Sequence, residues 1–186
     1  EVTTQVRLGT FVLANDFRNP VLLARDVATL DVLSDGRFEL GLGAGWRQGE
    51  YAQAGIPYDA APVRINRLAE SLQVLAGCCG DGPFAFAGEY YTVAELDGQP
   101  KPVQRPHPPF LVGGGGKRIL SLAARQADIV SIIPRARPEG RGQDSADWTT
   151  ATEAATRQKV AWVREAAGDR FAALELNAMV YAVLVA

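Results

Sequence analysis

The residues of this sequence best suited to chemistry surround a run of four glycines, Phe110-Leu111-Val112-Gly113-Gly114-Gly115-Gly116-Lys117-Arg118. An apolar stretch of strand type runs into glycine and then into a helix whose first turn carries two cations. Glycine lets backbone approach an anion closely. A helix N-terminus offers unpaired N–H groups and a partial positive charge. Lys117 and Arg118 are unfavourable against that dipole unless an anion joins them. The pattern is a phosphate cradle, with a tight strand-to-helix turn as the plainer alternative. It is not a Walker loop, because no Gly-Lys-Ser/Thr follows at the required spacing.

A second glycine pattern, Leu40-Gly41-Leu42-Gly43-Ala44-Gly45-Trp46, alternates. Trp46 and Arg47 stand where a dinucleotide fingerprint wants its third glycine, and no helix is expected at once. The better reading is a strand end where backbone lies flat against a ring, with Trp46 as a wall of the substrate pocket or a surface-loop anchor. Glu50 is the one carboxylate near that turn. His107 is the only histidine and sits between prolines in Arg105-Pro106-His107-Pro108-Pro109, which suits a rigid loop better than acid–base work. Asp31, Asp35 and Glu39 read as caps and salt-bridge partners. No Ser-His-Asp or Cys-His set can be assembled, and no metal spacing is present. Cys78 and Cys79 are adjacent, which disfavours a disulfide between them. They read as buried thiols ending a helix in a reducing, cytoplasmic compartment.

These residues are positioned by alternating strands and helices. Val6–Leu13 reads as a buried strand. Asn15-Asp16 and Asn19-Pro20 mark a loop, and a helix follows over Val21–Leu33, with Pro20 suited to its first turn and Leu23, Val27, Leu30 and Leu33 on its apolar face. Phe38–Gly43 is a strand, and a long loop holding Pro57 and Pro62 follows Gly45. Val63–Leu75 is helical, with Ile65, Leu68, Leu72 and Leu75 as its stripe. Phe84–Phe86 and Tyr90–Val93 form a hairpin. Gly98–Pro109, with five prolines, is irregular. Then come the strand Phe110–Val112, the helix Ile119–Arg125, the strand Asp128–Ile133, a polar mobile loop Arg135–Asp147, the helix Thr149–Ala167 and a strand Leu174–Val185. This order implies right-handed crossovers and a parallel sheet.

Of 186 residues, 47% are apolar and 22% charged, with a formal net charge of −2. That balance gives no reason to expect nucleic acid or an anionic membrane surface as partner. No segment is apolar enough to span a bilayer, and the first residues lack a signal-peptide pattern. The chain enters almost directly on a strand and ends on an apolar run. Both favour an incomplete barrel over a small doubly wound sheet, since a whole barrel needs about 250 residues.

Several blocks together resemble the luciferase-like monooxygenase superfamily. They are Leu8-Gly9-Thr10-Phe11-Val12-Leu13 with Phe17-Arg18-Asn19-Pro20, then Ser34-Asp35-Gly36-Arg37 running through Gly45, then Lys101–Pro109 ahead of the glycine run. The likeness is greatest to the branch of coenzyme F420-dependent oxidoreductases. The resemblance implies an α/β fold, a partial (β/α)8 TIM barrel of the bacterial luciferase-like type. It has about five of eight strands, spans 1–186 as one domain, and lacks N-terminal strands and the C-terminal end. It implies that Gly114, Gly115 and Gly116 hold a cofactor phosphate. Thr10, Phe11, Val12 and Ala14 would line the cofactor ring, with a non-prolyl cis peptide at Phe11–Val12, and Ala44 and Gly45 would meet the rest of the ring. Some relatives place a carboxylate directly after the equivalent of Gly45; here Trp46 stands there, and no catalytic acid or base is assigned. The implied activity is hydride transfer between F420 and a small organic substrate, by a homodimer. The alternatives are an FMN-dependent monooxygenase and a truncated, non-catalytic flavin-binding chain.

Overall fold

A computed structural model describes residues 3–137 and 146–179 of the chain. It divides into two compact units, 1–111 and 112–186.

The first unit begins with two short strands, β1 (Leu8–Gly9) and β2 (Leu13–Ala14), in place of one continuous strand. Between them lies a bulge containing a cis Phe11–Val12 peptide. Helix α1 (Pro20–Leu33) follows, then β3 (Phe38–Gly43), which pairs in parallel with both β1 and β2. The bulge can lie against β3 only because β3 lacks side chains there. A Cβ at Gly41 would collide with the carbonyl oxygen of Thr10, and one at Gly43 would come within 3.0 Å of Val12. The Thr10 hydroxyl donates to Gly41 O and accepts from Gly41 N, both at 2.9 Å. A side chain thus replaces the backbone ladder that the bulge interrupts. The alternate glycines therefore serve this backbone crossing, where the sequence suggested a surface laid against a ring.

Asn19 caps α1, its Oδ1 accepting from Val21 N at 2.9 Å and Leu22 N at 3.4 Å, with Pro20 at the first turn. The buried face is Leu23, Ala24, Val27, Ala28 and Asp31. Leu30 and Leu33, expected there, are 45% and 73% exposed. The buried face carries the small Ala24 and Ala28, and α1 packs on α3 (Ala61–Cys79) and on β3. Among the described residues Asp31 makes no ion pair, and its carboxylate does not cap a helix. It is buried, and it accepts from Gln104 N at 2.9 Å and Gln104 Nε2 at 2.6 Å. Gln104 Nε2 also donates to Phe38 O at 2.7 Å, so one amide fastens the proline-rich segment to α1 and β3.

The segment after Gly45 is not all loop. It contains a two-turn helix, α2 (Gln48–Ala54), anchored by the buried Tyr51 and closed by Gly55 in the left-handed region, φ 68°. Burial of one aromatic ring outweighs the polar, turn-like composition. α3 carries Leu68, Leu72, Leu75, Cys78 and Cys79 inward. Both thiols are free, and burial pushes them up, Cys79 to about 11. Strands β4 (Phe84–Ala87) and β5 (Thr92–Leu96) form the expected antiparallel hairpin. Its tip is held by Glu70, whose carboxylate takes the N–H groups of Glu89, Tyr90 and Tyr91 at 2.7–3.1 Å. The start of β6 (Phe110–Gly114) joins β3, and Pro109 O accepts from Leu40 N at 2.9 Å.

In the second unit the end of β6 is followed by α4 (Lys117–Gln126), β7 (Ile129–Ile132), the short antiparallel pair β8 (Arg135–Ala136) and β9 (Ala146–Asp147), α5 (Glu153–Ala167) and β10 (Glu175–Ala178). β10 pairs with β7 in parallel. All four residues of β7 are buried, as a strand covered on both faces requires. The expected loop 135–147 thus begins and ends in paired strands. Its interior, and the expected strand beyond Met179, lie outside the described residues. No described helix is long and apolar enough to cross a membrane.

The crossing at Gly41 makes a prediction. Gly41→Ala should lower unfolding stability by about 3 kcal/mol, as overpacking against fixed backbone does. Gly49→Ala, where an added Cβ meets nothing within 4 Å, should leave stability unchanged or raise it by up to about 1 kcal/mol. Urea denaturation of both variants reads the contrast.

Candidate cofactor site

In the first unit the structure brings Thr10, Phe11, Val12, Ala14, Ala44 and Gly45 to one region, because the bulge packs on β3, which leads directly into Ala44 and Gly45. Phe11 is 52% exposed, while Thr10, Val12, Ala14, Ala44 and Gly45 are half-buried. An exposed aromatic ring on a bulge, beside small half-buried residues, can offer an apolar wall to a flat ligand.

The turn at Ala44 and Gly45 is held from behind by residues that sequence reading passed over. Gly45 has φ +72°, and a Cβ there would collide with the Tyr51 hydroxyl. That hydroxyl donates to Asp16 Oδ2 at 3.0 Å and also lies 3.4 Å from Ala44 O. Asp16 is buried and ion-paired with Arg67 at 3.0 Å, and Arg67 reaches Asp59 at 2.5 Å. Burial, and then the Asp16 charge, push the Tyr51 phenol up to about 12. Arg64, 4% exposed, donates to Ala44 O at 3.2 Å and to Gly45 O. Its spacing held a signal: Arg64 lies four residues before Leu68 and eight before Leu72, on the buried stripe of α3.

Trp46 is 38% exposed, with the Arg47 guanidinium 4.9 Å over its ring and its carbonyl accepting from Tyr58 at 2.9 Å. Glu50 pairs with Arg47 at 2.7 Å in the first turn of α2. His107 stacks on Phe110 at 4.0 Å and 7°, a packing role in the proline-rich segment. A hollow of about 600 Å³ opens among Phe17, Arg18, Ile56, Tyr90 and Tyr91, and none of the cofactor- or substrate-site residues expected from sequence lines it. Among the described residues no cluster of three or more His, Cys, Asp or Glu could hold a metal.

In the second unit the glycine run divides by role. A Cβ at Gly114 would collide with Ile119, and one at Gly115 would lie 2.5 Å from Pro134 O. Both are buried, so they are glycine for lack of room. At Gly116 nothing lies within 4 Å of an added Cβ. Gly116 is the N-cap of α4 and, having no side chain, supplies no side-chain cap. A helix start without a side-chain cap presents the positive end of its dipole to an acceptor. Lys117 does not depend on an anion as the sequence suggested, since it pairs with Glu165 at 3.1 Å. Behind β7, Lys159 is buried and donates to Ile133 O at 2.8 Å and Thr150 O at 2.6 Å; burial, and then Arg135, lower its pKa. The glycine-started helix and the open Gly116 fit a phosphate group, and the bulge with its glycine-backed turn fits a planar ring.

The model of the luciferase-like monooxygenase family matches residues 1–176. The chain is 33% identical over 110 residues to an FMNH(2)-dependent dimethylsulfone monooxygenase of Pseudomonas putida, covering 59% of this chain and 30% of that protein. It is 34% identical over 129 residues to an F420-dependent glucose-6-phosphate dehydrogenase of Amycolatopsis mediterranei, covering 69% of this chain and 38% of the relative. The coenzyme F420-dependent tetrahydromethanopterin reductase of Methanopyrus kandleri superposes with a TM-score of 0.78 at 20% identity, over 96% of this chain and 51% of that one. The fold is thus α/β, with the parallel strands of a half-barrel of the luciferase-like TIM-barrel type. The chain spans less than half the length of these two sequence relatives.

The Tyr51 environment predicts a late phenol titration. Its neutral form is favoured in the fold, so its contribution to stability is present below pH 10, the ordinary tyrosine value, and is lost as pH rises through about 12. Absorbance at 295 nm, wild type minus Tyr51→Phe, should show one phenol with a midpoint near 12; a midpoint near 10 would contradict the Asp16–Tyr51 arrangement.

Proposed function

Because the chain belongs to the luciferase-like monooxygenase family, we propose that it carries cofactor-binding parts of an F420-dependent oxidoreductase acting on a small organic substrate. The observation that carries this reading is the glycine N-cap of α4, Gly116, with open space on its side-chain face at the positive end of the helix dipole. The N–H groups of that first turn hold the phosphate, and Gly114 and Gly115 let β6 turn tightly enough to present them. Thr10, Phe11, Val12 and Ala14 on the bulge, with Ala44 and Gly45, face the ring. Trp46 lines the substrate side, and its aromatic body excludes water there. When bound, the deazaflavin supplies hydride transfer to or from a carbonyl or unsaturated carbon. Among the described residues no acid or base is assigned to that transfer.

The similarity to an FMNH(2)-dependent monooxygenase supports a second reading, in which the same residues hold FMN. A non-catalytic flavin-binding role is the third. In each, the protein works in the cytoplasm on a small molecule, without nucleic-acid or membrane partners. A homodimer is proposed with it, and Leu22, Leu30 and Leu33, exposed on α1, supply apolar surface for a second copy.

Fluorescence titration with F420 and FMN separates the readings. Saturable F420 binding is expected; saturable FMN binding without F420 binding would move the assignment to the second reading, and binding of neither would remove all three. Gly116→Asp tests the phosphate grip. Aspartate is a good N-cap, so the variant should fold at least as stably, while its carboxylate occupies the anion position. It should weaken F420 or FMN binding by at least about tenfold, the loss of one charge-assisted hydrogen bond, and leave riboflavin, which has no phosphate, unaffected.

A further inference from the structure

Arg64 is a cation withdrawn from water without a counter-charge. It is 4% exposed, and among the described residues no carboxylate lies within ion-pair distance of it. Its Nε donates to Asp59 O at 2.9 Å, its Nη2 donates to the Tyr58 hydroxyl at 3.1 Å, and the guanidinium lies 4.1 Å over the Tyr58 ring. Its Nη1 is given to two successive carbonyls, Ala44 O at 3.2 Å and Gly45 O. Burying a charge on dipoles alone is costly. Several arrangements would stabilise a turn more cheaply.

The consequence lies on the other side of the peptides. The C=O and N–H of a trans peptide point in opposite directions. The partner of Ala44 C=O is the Gly45 N–H, and the partner of Gly45 C=O is the Trp46 N–H. With both carbonyls drawn to one guanidinium, both N–H groups point away from it. Among the described residues neither N–H has an acceptor within the fold. The turn cannot roll over to hide them, because Gly45 is already at φ +72° and the Tyr51 hydroxyl fills the space behind it. A cation on the oxygen end also polarises each amide and strengthens its N–H as a donor.

We propose that Arg64 is a positioning residue that sets and polarises the Gly45 and Trp46 amides as a donor pair for one acceptor oxygen of the cofactor ring. This rests on the reading that the Ala44–Gly45 turn faces that ring. Arg64 itself touches no cofactor. Its charge reaches the ring through two peptide groups, favouring the reduced ring, on whose carbonyl oxygens electron density accumulates.

The test uses the whole chain, 15N-labelled, with FMN and F420 as probes. On saturation the Gly45 and Trp46 amide protons should move downfield while that of Gly55, at the end of α2, stays. Arg64→Met should abolish those shifts, weaken binding about tenfold and lower the reduction potential of bound FMN. Arg64→Lys, which keeps the charge and loses the fork, should recover part of each. A purely structural Arg64 would reduce thermal stability in both variants without changing the potential, and that result overturns the proposal. So does cofactor binding to the wild type with Gly45 and Trp46 unmoved, a measurement that stands even if neither variant folds. Failure of the wild type to bind either probe would instead overturn the cofactor reading, and this inference with it.

Discussion

Much of the first unit depends on the absence of side chains at alternate positions near the end of β3. At Gly41 the missing Cβ makes room for the Thr10 carbonyl, at Gly43 for Val12, and at Gly45 for the Tyr51 hydroxyl. Two separate pieces of chain, the bulge and α2, close on one strand end because three hydrogens stand where methyl groups would block them. Steric exclusion by fixed backbone is stiffer than any single hydrogen bond, since backbone cannot rotate out of the way. The candidate ring-facing surface is shaped by this contact before any polar group adds to it.

Buried and half-buried polar groups then fix the register of what the glycines admit. Asp31 holds Gln104, Glu70 holds three amides of the hairpin tip, and Arg64 holds two carbonyls of the Gly45 turn. Each is an ionisable residue spent on backbone dipoles from a distant segment. Such contacts tie irregular chain, which has no ladder of its own, to the helices α1 and α3. The same logic explains why a proline-rich stretch and a hairpin can be ordered here without forming part of the parallel strands.

Much of the fold was legible in the sequence. β3 and the helix α1 with Pro20 in its first turn followed from apolar runs bounded by glycine and proline, and the cis Phe11–Val12 peptide followed from family resemblance. What could not be read depends on partners remote in sequence. α2 forms because Tyr51 finds Phe17 and Tyr58 at 4.8–4.9 Å, which no local pattern announces. The apolar stripe of α1 was misplaced because its buried face includes Ala24, Ala28 and a carboxylate, Asp31, where an apolar pattern looks for leucines. In the candidate site, the glycines and bulge residues were visible, but Tyr51, Asp16 and Arg64 were not. Charged and phenolic residues normally report a solvated surface, and only the register of Arg64 with Leu68 and Leu72 marked it as an exception.

Amide hydrogen exchange, followed with and without saturating F420, bears on the whole account. Protection is expected in peptides covering 8–14, 43–47 and 114–119, where the bulge, the Gly45 turn and the start of α4 lie, and not in 84–96. Protection confined to the hairpin and the hollow beside Tyr90, with the Gly45 turn and the glycine run unchanged, would contradict it.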